Sequence, residues 1–244
     1  MEKELFVRLL RYGFPSGVQF FLEIAGFTVF VLLVGRLGIA SLAATNIAFN
    51  INTLAFMPMI GSGIAVSVLV GQYLGADNPD RAQSAVYSGF HLTLVYMVSI
   101  AAAYVLIPDI FVAPFALRAD PSGFSEIYDY SIVLLRFVAI YSVFDTMNII
   151  FCSAIKGAGD TRYVMLMTVF LSLFVFILPV YLTVVVFEYG LMVAWVFATA
   201  YVTLLGVVFF LRFLGGKWKT MRVIERRREV PMVGPTKLGR VAKL

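Results

Sequence analysis

Three observations predict an all-α, polytopic membrane protein with six transmembrane helices. Of the 244 residues, 61% are apolar and only 14% carry charge, a balance that soluble domains rarely reach. The apolar residues gather in six stretches, each long enough for the roughly 20 residues that a helix needs to cross a bilayer. Turn-forming segments and positively charged flanks separate the stretches. A single Cys152 excludes an internal disulfide framework and any multi-cysteine metal site, and a single His91 excludes histidine clusters.

The first span, about 15–37, follows the segment MEKELFVRLLRYGFP. Its apolar run exceeds the core of a signal peptide and ends in no small-residue cleavage site, so it reads as a retained span. A second span at about 42–74 would be about 48 Å long, longer than a bilayer needs. It holds Pro58 followed by Gly61 and Gly63, where a kink is expected because proline removes one backbone hydrogen bond. GADNPDRA then makes a turn and starts the third span, about 82–107. The fourth span, about 127–155, ends at the Gly-rich turn KGAGDTR, and the fifth and sixth follow at about 163–187 and 190–214. These spans form one unit over residues 1–214, and residues 215–244 form a basic tail.

Lys and Arg set the expected orientation. With the N-terminus inside, Lys3, Arg8, Arg11, Arg81, Lys156, Arg162 and the tail all fall on the cytoplasmic side, leaving Arg36 and Arg118 outside. Both termini are therefore expected in the cytoplasm, with residues 109–126 facing outward. The tail supplies most of the +5 net charge. Directly after a final span, such charge reads as a flank lying near anionic lipid rather than as a nucleic-acid site.

Within the spans, the acids are the informative residues. Glu23 lies about 14 Å from the boundary near Phe14, in a core of about 30 Å. Asp145, eleven residues before Lys156, lies about 16 Å from the same boundary. Two carboxylates from different helices thus share the depth of the midplane. Gln19 and Glu23 are spaced i, i+4, and Tyr141, Asp145 and Asn148 are spaced i, i+4, i+7, so each acid has polar company on its own helical face. An isolated ionised carboxylate in hydrocarbon is so costly that it takes up a proton or a cation. The pair can therefore hold a proton, a sodium ion bound by oxygens, or a cationic organic molecule, each in competition with the others. The plainer alternative is that both acids are protonated and merely bond neighbouring helices.

Other polar residues carry weaker signals. Arg136 falls on the face of its helix opposite Asp145 and reads as snorkelling or packing. Asn46, Asn50 and Asn52 in the second span are candidates to contribute a ligand, Asn50 foremost, or to bond between helices. His91 reads as a packing residue. Phe, Met and Tyr side chains lining a cavity would suit bulky, flat cations. No motif points to an enzyme, because GAGD follows no strand and a dinucleotide or phosphate-loop reading fails on context.

The segments FPSGVQFFLEIAGF, GRLGIASLAATNIAFNINTLAFMPMIGSGIAVSVLVGQYLGADNPDRA and LLRFVAIYSVFDTMNIIFCSAIKGAGDTR resemble the C-terminal lobe of a multidrug and toxic compound extrusion (MATE) transporter. The likeness runs from about Phe14 to Arg212. It implies that Glu23 matches the family's glutamate in the first helix of the lobe. Asp145 and Tyr141 match the aspartate and tyrosine that NorM-type members carry in the fourth, where they belong to the cation-coupling site. The resemblance further implies sodium- or proton-driven efflux of drugs, with no cofactor and with sodium, if it is the driver, held at Glu23, Asp145 and Tyr141.

Members of that family have twelve spans in two lobes, and this sequence has six. Because alternating access in such transporters needs two halves around a central site, a second six-helix lobe is expected, from a homodimer or a separate chain, unless the sequence is a fragment. The sequence therefore predicts one lobe of a cation-coupled antiporter of the plasma membrane that exports organic cations. Two alternatives stand beside it. A flippase for lipid-linked precursors would need several cationic residues lining the cavity, and a non-transporting membrane fragment would act as an interaction module.

Overall fold

The computed structural model describes residues 3–117 and 121–221. Most of the basic tail and Arg118 lie outside the described residues. Every regular element among those described is helical: α1 (Lys3–Val34), α2 (Ile39–Gly75), α3 (Pro79–Leu106), α4 (Pro108–Ala116), α5 (Pro121–Gly157), α6 (Thr161–Leu171), α7 (Leu178–Tyr181) and α8 (Leu191–Leu214). Two segments of wider π-helix, Ser172–Ile177 and Leu182–Val186, join α6 to α7 and extend beyond it, so that Thr161–Val186 is one continuous span. Six helices among the described residues are long and apolar enough to cross a membrane: Leu9–Leu37, Ile39–Gly75, Pro79–Leu106, Phe124–Gly157, Thr161–Val186 and Leu191–Leu214.

The helix α5 is the axis of the bundle. In its most apolar stretch 67% of residues are buried, against 22–44% in the other spans. Its neighbours α2, α3 and α8 make the most extensive helix packings in the molecule, all of them on α5. Two of these approaches depend on glycine. A side-chain carbon at Gly206 would lie 2.4 Å from the Phe144 carbonyl oxygen, and one at Gly157 would lie 2.4 Å from that of Ser67. Without these glycines, α8 and α2 could not come so close to α5. By contrast, α1 packs chiefly on α6 and the π segment behind it and touches α2 only lightly. One side of α1 therefore stays open toward α2 and α5.

Local chemistry sets the helix ends and some departures from the sequence reading. Pro58 sits inside α2 without ending it, and the Ser62 hydroxyl donates to the Pro58 carbonyl at 3.1 Å. α1 starts at Lys3, upstream of the expected boundary, and carries Pro15 within it. Asn78 caps α3 by accepting the Arg81 amide at 3.2 Å, with Pro79 at the first helical position. The outward-facing segment expected after the third span contains α4, begun by Pro108. The Tyr128 hydroxyl donates to Asp109 and ties α4 to α5. At the opposite end of the bundle, Arg212 of α8 donates to Asp160 at 2.6 and 3.0 Å and lies 4.2 Å from the Tyr163 ring centre. That pair clamps the KGAGDTR turn to the end of α8.

Candidate functional site

The open side of α1 makes one wall of a cavity of about 530 Å³. Glu23 reaches it from α1, Asn52 from α2, and Tyr141, Asp145 and Asn148 from α5. The i, i+4 and i, i+3 spacings close as hydrogen bonds. The Gln19 amide donates to Glu23 Oε1 at 2.9 Å, and the Asn148 amide donates to Asp145 Oδ1 at 2.9 Å. Each carboxylate is thus held by an amide of its own helix, one turn away. Both acids line this one cavity from different helices.

Tyr141 is buried, and its hydroxyl accepts from the Asn52 amide at 3.2 Å across the α2–α5 contact. The opposite end of that amide, Asn52 Oδ1, is buried without a partner, as is Gln19 Oε1. Buried acceptors are normally paired, so these two oxygens beside two carboxylates form a set with more acceptors than donors. Such a set suits a cation or the N–H groups of a ligand. Among the described residues no group of three or more His, Cys, Asp and Glu side chains converges. An oxygen set of two carboxylates, a phenol and two amides matches a hard, weakly held monovalent ion better than a transition metal.

The apolar wall is aromatic. Phe20, Phe27, Phe49, Phe56 and Tyr201 line the cavity. Phe27 meets Phe49 edge to face at 5.7 Å, and Phe176 behind them stacks on Tyr201 at 4.8 Å. Among the described residues, no Lys or Arg lines the cavity.

The placement of the sequence-predicted residues is uneven. Glu23, Tyr141, Asp145 and Asn148 line the cavity, and Gln19 stands behind Glu23. Asn50 does not. It is exposed, with its amide turned back onto the Asn46 carbonyl at 2.8 Å, and Asn46 likewise donates to the Leu42 carbonyl at 3.0 Å. The physical reason is the helical period: two residues on an α-helix differ by about 200° in direction, so Asn50 points away from the cavity that Asn52 enters. The sequence marked all three asparagines, and only contact with α5 distinguishes Asn52. His91 is exposed against Tyr87 and Phe90, and Arg136 is exposed on α5; neither lines the cavity.

Comparison with known proteins follows the same outline. A family model described as MatE matches residues 15–182. A probable multidrug resistance protein NorM of Thermotoga maritima is 28% identical over 221 residues, which make up 90% of this chain and 46% of that protein. A protein of the same description from Pseudomonas putida is 35% identical over 154 residues, 63% of this chain and 33% of that protein. An outward-facing multidrug resistance MATE family transporter of the MOP superfamily superposes with a TM-score of 0.80 at 19% identity, covering 91% of this chain and 49% of that one. A MOP superfamily transporter from Pyrococcus furiosus gives 0.80 at 18% identity, with 91% and 49% covered. At these identities the structures speak for the fold alone. The chain spans about half the length of the Thermotoga protein and of both structures.

Proposed function

The chain belongs to the MatE family, and from that premise we propose that it is one six-helix lobe of a cation-coupled antiporter that exports cationic, drug-like organic compounds. The observation that carries this reading is the pairing of Glu23 with Asp145, from different helices, in one aromatic cavity that no Lys or Arg among the described residues lines. Asp145 is buried and Glu23 half-buried, and two carboxylates facing one largely apolar cavity need a positive charge to be stable. Three kinds of charge meet the need: a proton, a sodium ion, or an organic cation.

Each species displaces the others, and that exclusion is the basis of exchange. Glu23 and Asp145 supply the charge, Tyr141 an oxygen, and Gln19 and Asn148 hold the carboxylates in orientation. The aromatic wall adds dispersion and cation–π attraction for a flat organic cation. Loading a driving ion neutralises the acids and releases the substrate; its departure restores their affinity. The flippase alternative calls for basic residues in the cavity, and the lining offers none among the described residues. Alternating access then needs a second six-helix lobe, from another copy or another chain. The Lys and Arg distribution favours a plasma-membrane orientation with both termini and the KGAGDTR turn in the cytoplasm.

Equilibrium binding of tetraphenylphosphonium to the purified chain tests the reading. Binding is expected to weaken as sodium is added or as pH falls, because either occupant neutralises the same carboxylates. Affinity indifferent to both would overturn it.

A further inference from the structure

The polar face of α5 does not stop at the cavity. Tyr141, Asp145, Asn148, Cys152 and Lys156 follow one another at spacings of three or four residues and keep to one side of the helix. Opposite them, Tyr12, Gln19 and Glu23 keep to one side of α1, at spacings of seven and four. α1 and α5 run in opposite directions across the bundle, the first and fourth of its six spans, so the two stripes are matched in depth. Glu23 lies level with Asp145, Gln19 near Cys152, and Tyr12 near Lys156.

At the Lys156 end of this seam lies a second cavity, of about 660 Å³, lined by Tyr12, Ser67, Gln72, Lys156 and the glycines 71, 75 and 157, with Val68. It shares no lining residue with the cavity around Glu23. Along the seam between the two, the Gln19 amide reaches Cys152 Sγ at 3.7 Å while also donating to Glu23. Gln19 is only 3% exposed, and its Oε1 has no partner. Cys152 is buried. Lys156, one turn beyond Cys152 on α5, lines the second cavity.

We propose that the cavity at Lys156 is a second mouth of the Glu23 site, and that the Gln19–Cys152 contact is the plug through which a proton or small monovalent cation passes between them. This rests on the reading of Glu23 as a cation site. An amide-to-thiol contact at 3.7 Å is weak, so the plug opens by a rotation of one side chain rather than by movement of a helix. Gln19 Oε1 supplies an oxygen for the passing ion at the point where the route is narrowest. The mouth is built from the C-terminal ends of α2 and α5, where the helix dipoles place partial negative charge that attracts cations. Lys156 stands at that mouth.

Cys152 is the only cysteine in the chain, so its modification reports the plug directly and independently of transport. The full chain in liposomes is treated with a small cationic methanethiosulfonate reagent, and adducts are followed by mass spectrometry. Cys152 is expected to react slowly in the wild type and about tenfold faster in Gln19→Ala, the factor given by ~1.4 kcal/mol of lost closure. A Gln72→Cys probe in a Cys152→Ala chain is expected to react readily, and at the same rate whether or not Gln19→Ala is present, which separates local opening from a displaced α1. Equal rates at Cys152 with and without Gln19→Ala, or an unreactive Gln72→Cys, would overturn the route. Neither result depends on whether Glu23 couples transport, so failure of the route and failure of the proposed function are distinguishable.

Discussion

Gln19 and Asn148 illustrate how much a spacing reveals about single residues. Each lies one helical turn from an acid, and each closes on it at 2.9 Å, as the i, i+4 and i, i+3 rules require. Asn52 was less legible. Asn46, Asn50 and Asn52 are alike in type, and only the packing of α2 on α5 selects the face that meets Tyr141. The difference is testable. Asn52→Ala removes the donor to Tyr141 and an acceptor from the cavity, and it is expected to weaken tetraphenylphosphonium binding about fivefold, as the loss of a hydrogen bond worth ~1 kcal/mol would do. Asn50→Ala, outside the cavity, is expected to leave binding unchanged. Equilibrium dialysis of the two variants side by side measures both. A larger loss from Asn50→Ala would put the ligand face of α2 elsewhere.

Among the elements, the six spans were readable because length and apolar content are set by the bilayer and need no knowledge of neighbours. The short α4 was not readable, since nine residues bearing Pro108 and Pro114 look like a loop until Tyr128 bonds Asp109. Nor were the π segments flanking Pro179, which depend on how the fifth span lies against α1 and α8. The closeness of α8 to α5 was hidden as well, because only the fold gives Gly206 its neighbour. Gly206→Ala places a methyl group against the Phe144 carbonyl, 2.4 Å away, and neither backbone can yield without moving a helix. A loss of about 1–3 kcal/mol of stability is expected, seen as a lower midpoint of thermal unfolding in detergent. The Asp160–Arg212 clamp, 52 residues apart in sequence, was equally invisible. Arg212→Ala is expected to cost about 1.5–3 kcal/mol, because Asp160 then keeps a charge in a partly buried place with its strongest partner gone. If Arg212→Ala and the Asp160→Ala, Arg212→Ala pair unfold at the same midpoint as the wild type, the clamp carries no stability.

At the scale of the whole molecule, the six-helix lobe and its relatives agree in outline, and the chain spans about half the length of the longer structures it superposes on. The orientation inferred from Lys and Arg is expected to place Gly159 inside the cell. A Gly159→Cys probe, read in a Cys152→Ala chain, should react with an impermeant thiol reagent only after the cells are opened; reaction from outside intact cells would invert the topology. The central claim is that Glu23 and Asp145 exchange a driving cation for an organic one. It is tested most directly by substrate flux in liposomes holding the chain together with a second six-helix lobe, driven in turn by an imposed proton gradient and an imposed sodium gradient. One gradient is expected to drive tetraphenylphosphonium flux in the wild type. Asp145→Asn and Glu23→Gln keep the shape and the hydrogen-bonding capacity of the acids but cannot hold the ionised charge, and each is expected to lower that flux by tenfold or more, about 1.4 kcal/mol of lost coupling. Full flux in both amide variants would show that the two carboxylates only join helices and would contradict the account.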